Sequence, residues 1–409
     1  MKLGSLFDGI GGFPLAASRY KIEPVWASEI EPFPIKVTQH HFPNMKHLGD
    51  ITQINGAEIE PVDIITFGSP CQDLSVAGKR EGLSGERSGL FMDAVRIIRE
   101  MRTATRGKCP RFAVWENVPG AFSSNKGEDF RAVLSEIAET EIPMPRSGKW
   151  ANAGMVRTER IDIAWRTLDA QYWGVPQRRK RIFLVADFTG RCAGEILFIE
   201  KGLSGNLTES GEAREEAAGA VGDSTAKSID VDLYNWAESA EPQLYDMTHA
   251  EEVIRPVEKG LAPTLNARMG TGGNQVPLVM REVSRTLRAE AGAPKHEADW
   301  ESLILDNNAV ATVNCRNLCE NEELSGTIHA KENGGYSLNY QNPVRVGYAV
   351  RRLTPLECER LMGFPDGWTD IPGASDTAKY RAIGNSVAIP CAESVLGGIA
   401  EALSCKKEG

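Results

Sequence analysis

No two of the eight cysteines stand at Cys-x-x-Cys spacing. The nearest approach, Cys315 with Cys319, has no second pair to complete a zinc site. Free thiols in a reducing cytoplasm are therefore expected, with no metal bound. His329 has no partner histidine at ligand spacing either. No apolar run reaches membrane-spanning length, and Met1 to Asp8 meets an acid too early for a secretory signal. A basic excess is also missing, the formal net charge being −10. That argues against a nucleic-acid partner until its distribution is read. Residues 204–260 hold 13 acidic and 4 basic side chains, which leaves the remainder close to neutral. Clusters such as Arg178-Arg179-Lys180-Arg181 can then act locally on a polyanion. What is present is a chain of 409 residues with 41% hydrophobic content, enough to bury a large core and to form two domains.

Within that chain, Val62–Phe67 reads as a buried strand broken by Gly68, Ser69 and Pro70. Cys71 then sits on a loop just past a strand end, where open α/β sheets carry working residues. A lone cysteine is more often a small buried hydrophobe, so Cys71 needs partners to count as a nucleophile. The following stretch, Leu74–Gly89, mixes glycines with Lys79, Arg80 and Arg87. It reads as a lid closing over phosphates or as a long solvated loop, and its nearness to Cys71 favours the lid.

Upstream, Lys2–Phe7 reads as the first strand, Asp8–Phe13 as a glycine turn and Pro14–Arg19 as the start of a helix. A second strand, Pro24–Ser28, ends at Glu29, an acid placed to accept ribose hydroxyls. The spacing Gly9-x-Gly11-Gly12 is not the dinucleotide pattern. Turn plus acid suggests an adenosine-type cofactor; a plain strand–helix turn is the alternative. Asp50-Ile51 suits an adenine ring, and Leu90–Met101 reads as an amphipathic helix. Phe112–Trp115 is another buried strand, delivering Glu116 and Asn117 to the same sheet edge as Cys71. Ile161–Ala170 reads as a helix. Alternation puts Gln177, Arg179 and Arg181 on one face, as on a solvated edge strand or at a site.

Leu203–Ala240 reads as a linker or poorly ordered insertion, expected to be dispensable for catalysis. A weak repeat follows. Ala262–Arg268 runs into Gly272-Gly273-Asn274, and Ser325–Lys331 into Gly334-Gly335. These units are ordinary hairpins, or they present Arg268, Asn274, Lys331 and Asn333 to a DNA groove. Thr354 and Glu357 form a capping-box pattern opening a helix that ends at Gly363. Ala382–Pro390 leads into a last helix through Leu403.

Taken in order, the blocks Phe7–Gly12, Glu29, Asp50-Ile51, Pro70-Cys71-Gln72, Glu116-Asn117-Val118, Gln177-x-Arg179-x-Arg181, Leu353–Gly363 and Gly384–Val387 resemble the DNA (cytosine-5)-methyltransferases. The resemblance implies an α/β fold with a doubly wound mixed sheet, the S-adenosylmethionine-dependent methyltransferase fold, over residues 1–187 plus 377–409. It implies a second, smaller β-rich target-recognition domain over 188–376, with the acidic insertion at about 203–240. It implies S-adenosylmethionine as cofactor, held by Phe7, Asp8, Gly9, Gly11, Gly12, Glu29, Asp50, Ile51, Pro70, Leu90, Asn385 and Val387. Cys71 becomes the thiolate that adds to cytosine C6, Glu116 the group on N3 and the exocyclic amine, Arg181 the grip on O2, and Arg179 its neighbour on the backbone or Glu116. Gln72, Ser75, Lys79, Arg80, Arg87, Asn117, Gln177, Arg268, Asn274 and Lys331 are the expected DNA-side residues. Double-stranded DNA is the expected partner of a monomer, with no membrane; a cognate restriction enzyme is compatible with it. A tRNA cytosine-5 methyltransferase and a catalytically silent DNA-binding regulator stay open as alternatives.

Overall fold

The computed structural model describes residues 1–69, 89–198 and 353–404, Leu265, and the backbone of seven strand segments between 243 and 352. Five parallel strands form one side of its main sheet: β1 (Lys2–Leu6), β2 (Glu23–Ser28), β3 (Lys46–His47), β4 (Ile64–Phe67) and β5 (Phe112–Asn117). Three antiparallel strands follow: β6 (Ala153–Arg157), β7 (Asp162–Asp169) and β8 (Lys180–Asp187). The order is β3-β2-β1-β4-β5-β8-β7-β6. The chain runs outward from β1 to β3, then crosses back to β4 on the other side of β1. A doubly wound mixed sheet results, and its crevice opens where the direction reverses, between β1 and β4.

Both faces are covered, which is why the strands read as near-continuous apolar runs rather than alternating ones. Helices α1 (Gly12–Ser18), α5 (Ala193–Phe198), α6 (Pro355–Met362), α7 (Asp376–Asn385) and α8 (Ile389–Ser404) share one core with Leu3, Ile64, Val114, Phe183 and Val185. Helices α3 (Leu90–Ala104) and α4 (Glu128–Ala138) close the opposite face over Leu6, Ile65, Trp115 and Leu184. That second core is aromatic: Phe91, Trp115, Phe130, Trp150 and Trp165 meet mostly edge to face. Each such ring contributes about 0.5–1.5 kcal/mol beyond its area burial. Gly4 leaves the room Trp26 fills, since a β-carbon there would lie 2.1 Å from the indole.

The expected helix at Ile161–Ala170 is instead strand β7, hydrogen-bonded on both sides. Ile163 and Trp165 enter the aromatic core while Ala164 and Leu168 enter the other. A run that is apolar on both faces carries no period to separate strand from helix. Nor is β8 an edge strand, since it lies between β5 and β7. Residues 192–197 and 353–371, assigned to the second domain from sequence, contribute Cys192, Leu197, Leu361, Phe364 and Trp368 to the large sheet's core. The Thr354 capping box forms as expected, with Glu357 returning to the Thr354 amide.

The remaining segments are β9 (Gln243–Thr248), β10 (Val253–Pro256), β11 (Leu278–Glu282), β12 (Val310–Asn314), β13 (Cys319–Asn321), β14 (Val344–Val346) and β15 (Tyr348–Arg352), which pair as two antiparallel sheets, β10-β9-β11-β15 and β13-β12-β14. Most of the insertion at 203–240 and of the two repeat units, including Arg268, Asn274 and Lys331, lies outside the described residues. Among the described residues no single helix is long and apolar enough to cross a membrane.

Candidate active site

The turn after β1 is held in an unusual backbone shape. Phe7 takes φ 56°, Gly9 58° and Gly11 80°. A left-handed phenylalanine costs of order 1 kcal/mol and persists only where its surroundings impose it. Here the Asp8 amide donates to the Ser28 carbonyl at 3.0 Å and the Gly11 amide to Asp8 O at 3.2 Å. The Gly9 amide donates to Glu29 Oε2 at 2.9 Å. A β-carbon on Gly12 would lie 2.7 Å from Val387 and 2.9 Å from the Ser386 hydroxyl. Glycine at 12 thus lets residues 386–387 close over the turn from the far end of the chain. The turn is clamped further by Trp368, whose indole donates to Ile10 O at 2.8 Å while its ring stacks on His41 at 3.6 Å.

These residues fit a nucleoside bearing a cation. Beside Gly9, among the described residues, nothing lies within 4 Å of where a β-carbon would be. Asp8 is buried and both its carboxylate oxygens lack a partner. Glu29 stands at the end of β2, but the structure qualifies its expected grip on both ribose hydroxyls. Its Oε1 already accepts the Ile30 and Glu31 amides, at 2.8 and 2.9 Å. With the Gly9 bond, three of about four acceptor positions are filled. Asp50 caps the short turn Ile51–Gln53 through Thr52 N at 2.9 Å. Ile51 is buried, Leu90 half-buried at the head of α3, and Asn385 exposed beside buried Val387.

The second half of the site lies on the neighbouring strands. Glu116, one residue from the end of β5, meets Arg181 of β8 with Oε1 3.2 Å from Nε. The two are diagonal neighbours in the antiparallel register, within reach of long side chains. Burial pushes the Glu116 carboxyl up, and Arg181 followed by Arg179 pulls it back. Gly68 lies against this pair, a β-carbon there falling 3.4 Å from Glu116 Oε2. The exit of β4 is pinned beside it. Asn117 donates to Ser69 O at 3.2 Å and the Trp115 indole to Ser69 Oγ at 3.3 Å. The chain therefore leaves Ser69 next to Glu116, two residues before Cys71. Pro70, Cys71, Gln72, Ser75, Lys79, Arg80 and Arg87 themselves lie outside the described residues.

Three of the expected site residues lie within the packing: Arg179, expected on the adjoining backbone or Glu116, and Gln177 and Asn117 as positioning groups. Arg179 is buried, donating to the carbonyls of Leu265 at 2.7 Å, Gly384 at 3.3 Å and Ser386 at 2.6 Å. Burial pulls its guanidinium down to about 9, which leaves it charged at neutral pH. Gln177 is fully buried and donates to Leu361 O at 3.1 Å. Asn117 is also buried, holding Ser69 and its own Val118 amide. Each thus positions backbone near Glu116 and Arg181.

The sequence reading missed a basic rim. Lys126, Arg146 and Lys149 are exposed on two loops at the same sheet edge as Glu116 and Arg181. The loops are locked together by the Trp150 indole donating to Gly127 O at 2.8 Å. Neither 117–127 nor 142–157 contains a carboxylate, and that absence is a signal sequence inspection could have used.

Comparison with known proteins follows from this geometry. A family model described as C-5 cytosine-specific DNA methylase matches residues 1–401. A protein of Escherichia phage P1 named DNA N-6-adenine-methyltransferase is 32% identical over a 493-residue alignment, which takes in 99% of this chain and 62% of the phage protein. The chain thus spans less than two thirds of that relative. Type II methyltransferase M.HhaI of Haemophilus parahaemolyticus is 26% identical, with 98% of this chain and 94% of that protein aligned. The S. pombe Dnmt2 methyltransferase structure superposes with a TM-score of 0.52 at 18% identity, covering 98% of this chain and 99% of that one, a likeness of fold.

Proposed function

The chain belongs to the C-5 cytosine-specific DNA methylase family, and on that premise we propose that it transfers a methyl group from S-adenosylmethionine to C5 of a cytosine swung out of duplex DNA. The observation that carries this reading is the Glu116–Arg181 pair, 3.2 Å apart, beside the strand exit that leads to Cys71. When bound, S-adenosylmethionine supplies an electrophilic methyl on a sulfonium that leaves as a neutral thioether.

The residues of the chain do the rest. Cytosine C5 is too weak a nucleophile unaided. The Cys71 thiolate adds to C6, which makes C5 enamine-like. Negative charge then develops on the ring. Glu116, its carboxyl pushed up by burial and pulled back by Arg181, faces N3 and the exocyclic amine, the place for a group that hands a proton to N3 and accepts from the amine. Arg181 neutralises O2. After C5 takes the methyl, a base removes the C5 proton and the Cys71–C6 bond breaks, restoring the thiolate. The flipped base costs a few kcal/mol of stacking, offset by phosphate contacts. Residues 70–88, with Lys79, Arg80 and Arg87, supply contacts around the base; Arg268, Asn274 and Lys331 read the groove.

The deciding experiment offers the purified chain S-adenosylmethionine with duplex DNA or with tRNA, then analyses nucleosides by mass spectrometry. The expected product is 5-methyldeoxycytidine in the duplex. N6-methyladenine in place of it, or methylation confined to tRNA, overturns the reading.

The basic rim makes a second prediction. If Lys126, Arg146 and Lys149 each touch a phosphate, replacing all three by alanine lowers the slope of log affinity against log salt by roughly 2–3. Single-turnover methylation at saturating DNA should stay within about twofold. An unchanged salt slope would take these loops off the DNA.

A further inference from the structure

Asp8 is the least satisfied charged side chain among the described residues. It is 6% exposed, and neither carboxylate oxygen has a hydrogen-bond partner. The Ser5 hydroxyl lies close to it yet makes no proper bond, and Ser5 Oγ and Thr66 Oγ1 are also buried without partners. Ser5 and Thr66 are register partners on adjacent strands β1 and β4. Three unsatisfied polar side chains thus cluster at the crevice, beside the left-handed turn at Gly9. Buried polar groups are paired in the great majority of cases, and an exception calls for a ligand or a function.

Among the described residues, the surrounding elements supply no cation. Helix α1 has no titratable side chain along its length. At the end of β2 stands Glu29, of the same sign. Glu31, capping α2 (Pro32–His41), is already matched by Arg381 at 2.7 Å. His47 is engaged with the Thr38 hydroxyl at 2.9 Å. Burial, opposed by Ser5 and aided by Glu29, pushes the Asp8 carboxyl up to about 8. At neutral pH the cofactor-free protein therefore holds a neutral carboxylic acid there, with the Ser5 hydroxyl near it but outside hydrogen-bond geometry.

We propose that Asp8 is the counter-charge for the cationic end of the methyl donor, which enters with loss of the Asp8 proton to solvent. One positive charge arrives and one proton leaves, so the buried site never carries an unpaired charge. The proposal rests on the reading of the cofactor above. Its sign is set by linkage. Below pH 8 the acid must be deprotonated before the cation is matched, so donor affinity rises with pH until Asp8 is ionised in the free protein and then levels off.

Calorimetric titration of S-adenosylmethionine into the full chain, in two buffers of different ionisation enthalpy, counts the protons. At pH 6.5 to 7 about one proton should be released per donor bound, and the dissociation constant should fall up to about tenfold per pH unit. Asp8→Asn should bind with no proton release and a flat pH dependence. S-adenosylhomocysteine separates the two cations of the donor. Release with both ligands assigns the ammonium, and release with the donor alone assigns the sulfonium. Tight donor binding by the wild type without proton release overturns the proposal while leaving the methyltransferase reading intact. Absence of donor binding at any pH overturns that reading and this proposal together. The wild-type count decides even if Asp8→Asn fails to fold.

Discussion

Replacing Cys71 with alanine is expected to reduce methyl transfer by at least about 10⁴-fold, the scale on which removal of a covalent nucleophile registers. The expectation comes from what converges on its strand. Asn117 and Trp115 hold Ser69, and Gly68 is packed against Glu116. Cys71 follows Ser69 by two residues in the sequence, and Ser69 is held beside Glu116. Cofactor binding should survive, because the Asp8 turn, Glu29 and Asp50 stand on other strands. Single-turnover incorporation into duplex DNA measures the loss. A wild-type adduct with a 5-fluorocytosine oligonucleotide, stable to denaturation and missing from Cys71→Ala, identifies the sulfur. Residual transfer within about a hundredfold of wild type would move the nucleophile elsewhere.

The second large effect separates two arginines that stand two residues apart. Arg179→Met should lower stability by about 3–5 kcal/mol, because it leaves the buried carbonyls of Leu265, Gly384 and Ser386 without donors. Arg181→Ala should lower stability less than Arg179→Met, because the Glu116 carboxyl it leaves unpaired can take up a proton, and should cut turnover by roughly 10²–10³, the cost of losing one charge stabiliser in the transition state. It also frees Glu116 from its largest restraint, so the Glu116 carboxyl rises further and the alkaline limb of the rate profile moves up. Chemical denaturation and single-turnover kinetics on both variants decide the matter. A stable Arg179→Met with slow chemistry would return Arg179 to the base pocket.

Alternation from Gln177 to Arg181 was legible as a face, and the structure keeps it: residues 177 and 179 are buried, 178 and 180 exposed, and 181 half-buried. Alternation could not say which face would be covered. Burial of Arg179 depends on residues 384–386 and 265 arriving at β8, contacts more than 80 positions away. The same limit explains Glu29, whose acceptor positions are filled by the Gly9 turn as well as by its own neighbours. It explains Ile161–Ala170 too, where apolar residues on both sides leave no period to read. By contrast, β1, β4 and β5 were plain as buried runs ended by turn residues, and the Thr354 cap was plain because its partners are three residues apart.

By itself the sequence determined what is local or chemical: a buried strand that ends before Cys71, a carboxylate at the end of the next, a glycine turn followed by an acid, and a set of blocks whose order resembles one family. Such features need only a few neighbouring residues, so propensity and spacing suffice. The tertiary structure decided which of the polar side chains are spent on holding the chain and which remain for a ligand. Arg179, Gln177 and Asn117 donate to backbone carbonyls brought from distant segments, while among the described residues both carboxylate oxygens of Asp8 are left without a hydrogen-bond partner. Hydrogen-bond satisfaction is a property of everything that packs around an atom, and no stretch of sequence contains its own surroundings.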